Sequence, residues 1–378
     1  MPHSSSGPRS RPRADERLAR RGGALELLRA PAWLYAGAMR ARARAYELGL
    51  FARHAAGVPV VCAGNLSAGG TGKTPFVAWL VRELEQRGRR PGVLARGYAP
   101  RRVASSAAAA RAHSDEGLLL EELLPGRLHL ERADRVAGAR ALVAAGADAI
   151  VLDDGFQHLR LQRELDFVLV DALRPWGLPA PSAGEPAVRA LLPRGLLREP
   201  PSALARAHAL VLTRSDQVDP GALGELAAQL ENWAPGLPIA HARHAPRAWL
   251  ALEGERQPLE HLRGRALELV SGIGNPAAFE HSVRALGLEV ATHWRFADHH
   301  DYGAHDLAPA LASGRTLVCT HKDLVKWRAL PRELFAGRAC YALAVELELV
   351  AGAQAVGALL DAFCTAPPAP HARRGVLA

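Results

Sequence analysis

The chain has 378 residues, 49% hydrophobic and 22% charged, which is room for about two domains and the composition of an ordinary soluble enzyme. Its four cysteines (Cys62, Cys319, Cys340, Cys364) are scattered without a C-x-x-C pair, which excludes a disulfide framework or a zinc module and indicates a reducing compartment. No apolar run reaches the ~20 residues that cross a bilayer, and the opening "MPHSSSGPRSRPR" lacks the apolar core of a secretory signal.

Residues 1–23 read as a basic, disordered start. Residues 24–53 read as an amphipathic helix, with Leu25, Leu28, Ala32, Tyr35, Met39, Ala43, Tyr46 and Leu50 in one stripe. Arg40, Arg44 and Glu47 lie away from the stripe, and Arg42 lies at its edge. Of the net charge of +9, residues 1–53 carry +7, from 11 arginines and 4 acidic residues. So basic a block could bind nucleic acid, but it comes with an apolar stripe, and nucleic acid is not expected as a partner. The pattern alone fits a helix packed on the body, the commoner case, or one lying in the headgroup region of an anionic membrane.

A phosphate-loop domain is expected over 54–241. "VPVVCA" (58–63) reads as a buried strand, followed by a loop and a helix from about Thr74 to Gln86. "PGVLARGY" (91–98) is a second strand, and the alanine-rich 103–113 stays unassigned. A helix near 134–145 leads to the strand "DAIVLDDG" (148–155), and 165–172 and 207–216 read as further strands. Strands alternating with helices imply a parallel sheet covered on both faces. Residues 242–255 read as an extended linker, 256–365 as a smaller C-terminal α/β domain, and 366–378 as a disordered tail.

The stretch "CAGNLSAGGTGKTP" (62–75) carries the chemistry. A phosphate loop presents backbone amides and a helix N-terminus to an anion. Ser67 and Ala68 open the loop; Gly69, Gly70, Thr71 and Gly72 give it its tight path; Lys73 reaches the β- and γ-phosphates; Thr74 can ligate Mg²⁺. Ser67 replaces only the entrance glycine of G-x-x-x-x-G-K-[ST], so nucleotide binding is expected. Lysine occurs only at 73, 322 and 326, against 44 arginines, which suggests that these positions need a compact ammonium. "IVLDD" supplies Asp153 and Asp154 at a strand end, the acidic element of a metal–nucleotide site, although an ordinary strand-end turn would look the same. "TRSD" (213–216) matches the guanine-reading T-K-x-D too weakly to use. "HWRFADHHDYGAH" (293–305) offers a metal cluster, a plain surface loop, or a histidine facing the nucleotide from the second domain.

Together with "DDGFQHLRLQRELDFVLVDA", "LLPRGLLREP", "SGIGNPAAF", "FADHH" and the "DE" of "HSDEG", these motifs resemble the tetraacyldisaccharide 4′-kinases, the lipid A 4′-kinases of Gram-negative bacteria. The resemblance runs from "AWLYAGAMRARARAYELGLF" to "THKDLVKW". It implies transfer of the γ-phosphate of ATP, with Mg²⁺, to the 4′-hydroxyl of a tetraacylated glucosamine disaccharide 1-phosphate. It also implies Asp115 as the catalytic aspartate with Glu116 beside it, and His299 as its partner from across the cleft. Lys73 and Thr74 would hold phosphates and metal, Asp153, Asp154 and Glu116 the metal side, and Arg135 and Gln157 the acceptor side. The family's membrane-associated start turns the reading of residues 24–53 toward an anionic membrane, giving a peripheral protein on the cytoplasmic face of the inner membrane with no obligate protein partner.

Two departures stand out. The family's G-D-E-P is Ser114-Asp115-Glu116-Gly117 here, which leaves the placement of Asp115 less fixed, and T-E-K-D is Thr320-His321-Lys322-Asp323. The main rival is a cytosolic phosphate-loop switch of the partition or metallochaperone type. Partition ATPases carry a lysine where Ala68 stands, and metallochaperone GTPases add a His- or Cys-rich metal segment that this loop lacks.

Overall fold

The computed structural model describes residues 14–97, 114–180, 185–335 and 337–365. The unassigned 103–113 and the tail 366–378 lie outside the described residues, as does the start up to residue 13. Residues 14–23 correct the expectation of disorder for 1–23. Ala14–Ala19 is a helix (α1), and the fully buried Arg194 donates to the Leu18 and Arg20 carbonyls at 2.7 and 2.9 Å.

A 3₁₀ turn at Gly23–Leu28 leads into α2 (Arg29–Glu47). Then follow β1 (Val60–Asn65), α3 (Lys73–Gln86), β2 (Pro91–Ala95), α4 (Asp115–Leu123), β3 (Leu128–Glu131), α5 (Arg135–Ala144), β4 (Ala149–Asp153), β5 (Leu165–Asp171), β6 (Ala209–Thr213) and α6 (Pro220–Glu231). The C-terminal part comprises β7 (Ile239–Ala251), β8 (Arg256–Gln257), β9 (Ala266–Ser271), α7 (Pro276–Arg284), β10 (Glu289–Arg295), α8 (Ala304–Ala312), β11 (Thr316–Thr320), α9 (His321–Trp327), β12 (Cys340–Ala351) and α10 (Ala353–Thr365). The expected N-terminal strands and helices are present. β1, β4, β5 and β6 are buried at every residue, as suits strands covered on both faces.

All the strands belong to one sheet, in the order β3-β2-β4-β1-β5-β6-β7-β12-β11-β9-β10, with β8 beside β7. The N-terminal strands pair in parallel from β3 through β7, and β12, β11, β9 and β10 also pair in parallel with one another. Between the two sets, β7 and β12 run antiparallel from Ala251↔Tyr341 to Ala351↔His241. The expected linker over 242–255 is therefore mostly sheet, because its backbone groups are taken up by the β12 ladder. The antiparallel join turns the second set around, so the carboxyl ends of both sets point at each other across a cleft. Ligands bind outside strand carboxyl ends in such sheets.

The stripe residues of α2 turn inward: Ala32 is buried and Tyr35, Met39, Ala43 and Tyr46 are partly so, with Ala36 buried among them. This corrects the assignment of that stripe to a membrane. Arg42 donates to the Gln157 carbonyl at 3.0 Å and fixes the helix to the body. A second apolar set stays exposed on the outer side: Leu27 (78%), Trp33 (71%) and Leu34 (77%), followed by Leu48, Leu50 and Phe51 past the helix end.

Candidate functional site

β1 ends at Asn65, and the chain turns through Ser67–Gly72 into α3. Gly72 has φ +82°, where an added Cβ would also meet the His244 ring at 2.6 Å, so glycine is required twice over. The loop is held from all sides. Asn65 Nδ2 donates to Thr71 Oγ1 at 3.0 Å, Thr213 Oγ1 donates to the Thr71 carbonyl at 2.9 Å, and Ala68 N–H donates to the Leu196 carbonyl at 2.7 Å. Ser67 bridges Leu197 in place of the entrance glycine. Arg214, in "TRSD", has a bracing role: it donates to the Gly70 carbonyl at 3.2 Å and pairs with buried Asp171 at 2.6 Å.

Asp153 and Asp154 end β4 beside this loop. Asp154 takes Arg198 on both oxygens at 2.9 and 2.8 Å, and Lys73 Nζ lies 3.5 Å away. Burial disfavours its charge, but Lys73 and Arg198 outweigh that and hold the carboxyl at about 2. Asp153 is the opposite case. Burial, then the neighbouring Glu116, push it up to about 7, and its Oδ1 is buried without a hydrogen-bond partner. Arg135, expected on the acceptor side, instead sits behind it, buried, donating to the Asp153 carbonyl at 3.2 Å. Gln157 Nε2 donates to the Asn65 carbonyl at 2.9 Å.

Asp115 is the first residue of α4, capped by Ser114, whose hydroxyl accepts from Gly117 N–H at 3.1 Å. The Ser114 N–H donates to Glu131 at 2.9 Å, and a Cβ on Gly117 would come within 2.6 Å of the same carboxylate. Anchoring by Glu131 fixes this turn where a proline would otherwise stiffen it. From the facing set, His299 Nδ1 lies 3.3 Å from Asp115 Oδ2, with its backbone at φ +59°, a left-handed conformation that histidine adopts more readily than most residues. Lys326 Nζ reaches the same oxygen at 2.6 Å, and Lys322 Nζ lies 3.3 Å from both His299 Nε2 and Asp298. Burial opposes the charge of Asp115, but His299 and Lys326 prevail and bring it to about 2.

The other histidines of 293–305 go elsewhere. His293 meets Ser271 and Glu280, His300 stacks on Phe296 with centroids 4.6 Å apart, and His305 lies beside Asp306. Among the described residues no group of three or more His, Cys, Asp or Glu is arranged to hold a metal. A cavity of about 250 Å³ opens between the two strand sets, lined by the phosphate loop, Glu116, Asp154, His299 and Lys322.

A family model described as Tetraacyldisaccharide-1-P 4'-kinase matches residues 24–365. The chain belongs to this family. The "Tetraacyldisaccharide 4'-kinase" of Anaeromyxobacter sp. (strain K) is 40% identical over 366 residues, 93% of each chain. That of Geobacter metallireducens is 38% identical over 311 residues, covering 77% of this chain and 85% of the relative. The crystal structure of LpxK from Aquifex aeolicus in complex with ATP superposes with a TM-score of 0.66 at 28% identity, over 90% of this chain and 99% of that one. The kinase fold thus extends over both strand sets.

Within this kinase family architecture, sequence reading missed Lys322, Lys326 and Arg198 as members of the cleft. One signal was available. All three lysines of the chain converge there, with side chains only 9–16% exposed. α9 is capped by Thr320, whose hydroxyl accepts from Asp323 N–H, and buried Asp323 takes Tyr302 and Thr320 hydroxyls at 3.0 and 2.6 Å. That knot sets the helix from which Lys322 and Lys326, four residues apart, face the cleft.

Proposed function

We propose that this protein transfers the γ-phosphate of ATP to the 4′-hydroxyl of a tetraacylated glucosamine disaccharide 1-phosphate, the lipid A precursor. The observation that carries the reading is the meeting of Asp115 and His299 at the mouth of a phosphate loop, inside a chain of this kinase family. As the acceptor oxygen bonds to the γ-phosphorus, the bond to the β-bridging oxygen breaks and ADP leaves. The acceptor's proton passes to Asp115, which His299 orients. Lys73 and the loop amides neutralise charge that builds on the phosphate oxygens.

The residues present fit a magnesium ion: Thr74 opens α3, and the unpartnered Asp153 oxygen beside Glu116 lacks only a cation. Thr74, Asp153 and Glu116 would hold it together with nucleotide oxygens and water, with Asp154 kept in register by Arg198. When bound, it supplies charge neutralisation on the β- and γ-phosphates. Arg135 positions Asp153 from behind, and Gln157 lies on the acceptor side, where α2 is fixed.

The acceptor's acyl chains stay in a bilayer, so the protein works as a peripheral protein at the cytoplasmic face of the inner membrane. Among the described residues no helix is long and apolar enough to cross a membrane. The outer face with Leu27, Trp33 and Leu34, next to the basic start, supports docking in the headgroup region. The test is transfer of labelled phosphate from ATP to the detergent-solubilised acceptor. ATP hydrolysis that ignores the acceptor would instead mark a phosphate-loop switch.

A further inference from the structure

Two adjoining cavities lie on the α2 side of the molecule, of about 340 and 380 Å³, sharing Arg29 and Arg189 as lining residues. Neither has a lining residue in common with the nucleotide cavity. Arg21 and Arg40 complete a set of four arginines, and no Asp or Glu among the described residues lines either space. Arg29 is answered by Glu26, and Arg21 donates to the Pro186 carbonyl at 2.6 Å. Arg40 and Arg189 have no ion-pair partner among the described residues. Arg189 lies over two indoles, 5.3 Å from the Trp176 centroid and 5.7 Å from that of Trp233. Two aromatic rings near a guanidinium hold its position without spending its N–H donors on an acid, and those donors are the part that grips phosphate in bidentate fashion. Trp33, exposed beside Leu27 and Leu34, forms part of the wall.

We propose that Arg40 and Arg189 hold the phosphate of an anionic membrane phospholipid, a bystander that is neither acceptor nor product. The inference rests on the membrane reading given above. Charge complementarity selects a phosphate, and Trp33 in the wall, with Leu27 and Leu34 exposed close to it in the chain, selects a lipid over a nucleic acid, which would leave these apolar residues bare. A bound headgroup at this point would fix how the body sits on the bilayer, with the cleft at a set height above it.

The test uses the full chain and sedimentation with vesicles of phosphatidylcholine, with and without phosphatidylglycerol. Arg40→Ala/Arg189→Ala should weaken binding to the anionic vesicles by more than the roughly thirtyfold that diffuse attraction alone assigns to two basic groups at an anionic surface. Its binding to neutral vesicles and its activity on acceptor in neutral detergent should match those of the unaltered protein. The matched control Arg44→Ala/Arg53→Ala removes two charges from the same segment without touching the cavities and should do much less. Equal losses in the two pairs would reduce the effect to diffuse attraction and overturn the site. Relief of vesicle binding by millimolar glycerol phosphate would make the ligand a free phosphate ester, and preference for an oligonucleotide over vesicles would overturn the lipid. Failure of the unaltered protein to bind any vesicle would sink the membrane reading itself, whereas failure of the arginine pair alone would sink only this inference.

Discussion

Lys326 Nζ stands 2.6 Å from Asp115 Oδ2, and the two residues belong to opposite sides of the cleft. With His299 on the same oxygen, the proposed base is ionised far below neutrality. Lys326→Met should raise the Asp115 pKa from about 2 and move the acid limb of kcat/KM upward by about 1 pH unit or more. The sign for stability follows from the depressed folded value. The pair stabilises the fold above pH ~4, the ordinary aspartate range, and loses that contribution as pH falls toward 2. An unmoved acid limb in the variant would detach Lys326 from the base.

Asp115 and His299 should behave as one unit. Each single alanine variant should lose kcat by about 10²-fold or more with little change in the KM for ATP. The double variant should be scarcely worse than either, because groups that act together are not additive. Fully additive losses in the four-member cycle would give them separate roles. A larger loss in Glu116→Ala than in Asp115→Ala would place the base one residue further along.

Lys73→Ala should abolish transfer while leaving the thermal midpoint near its original value, since Arg198 still holds Asp154. Lys73→Arg should be nearly as poor, because the loop encloses an ammonium more closely than a planar fork. Persistent turnover in Lys73→Ala would remove the loop from the chemistry.

These motifs were legible because each is contiguous: loop, strand-end acids and helix start are fixed by local spacing. Lys326 meets Asp115 across more than 200 residues of chain, and no local pattern reports such a meeting. The helical periodicity correctly grouped Ala32, Tyr35, Met39, Ala43 and Tyr46 onto one face, but it ran on to Leu50, which lies exposed past the helix end, and could not say what the face would meet. Both sides of α2 carry apolar residues, and the small ones, Ala32 and Ala36, allow the closer approach to the body. The linker was read as extended but not as paired, for a related reason. β7 alternates as a strand should, but its partner β12 begins about 90 residues later, so the pairing was hidden.

Asp153 gives a pH prediction of the opposite sign. With its pKa raised to about 7, it is protonated below neutrality, so apparent Mg²⁺ affinity should improve steadily from pH 6 to 8. In the metal-free protein the raised value stabilises the fold at pH below ~4 relative to high pH, and that contribution is lost as pH rises through 7. Asp153→Asn should therefore flatten both profiles. Titrations of metal activation and of thermal midpoint across that range decide it, and a variant with unchanged profiles would leave Asp153 a structural acid.

The outer face of α2 should carry membrane attachment. Leu27→Ser/Trp33→Ser/Leu34→Ser should weaken binding to vesicles of any charge by at least about tenfold, as expected for losing three large apolar groups at an interface. Substituting the inward Ala32 with leucine should instead lower the thermal midpoint. Vesicle binding that survives the triple change would put the anchor on another surface.

The gathering of every lysine into one cleft gives the protein an unusual chemical profile. Amine-directed reagents ordinarily scatter over a protein's surface, where most lysines stand. Here, apart from the terminal α-amino group, the primary amines are Lys73, Lys322 and Lys326, so acylation of lysine side chains is a readout of the reaction centre. Ligands that fill the cleft should shield the whole set together, and labelling of the purified protein, read at each lysine, would report occupancy without an assay of turnover.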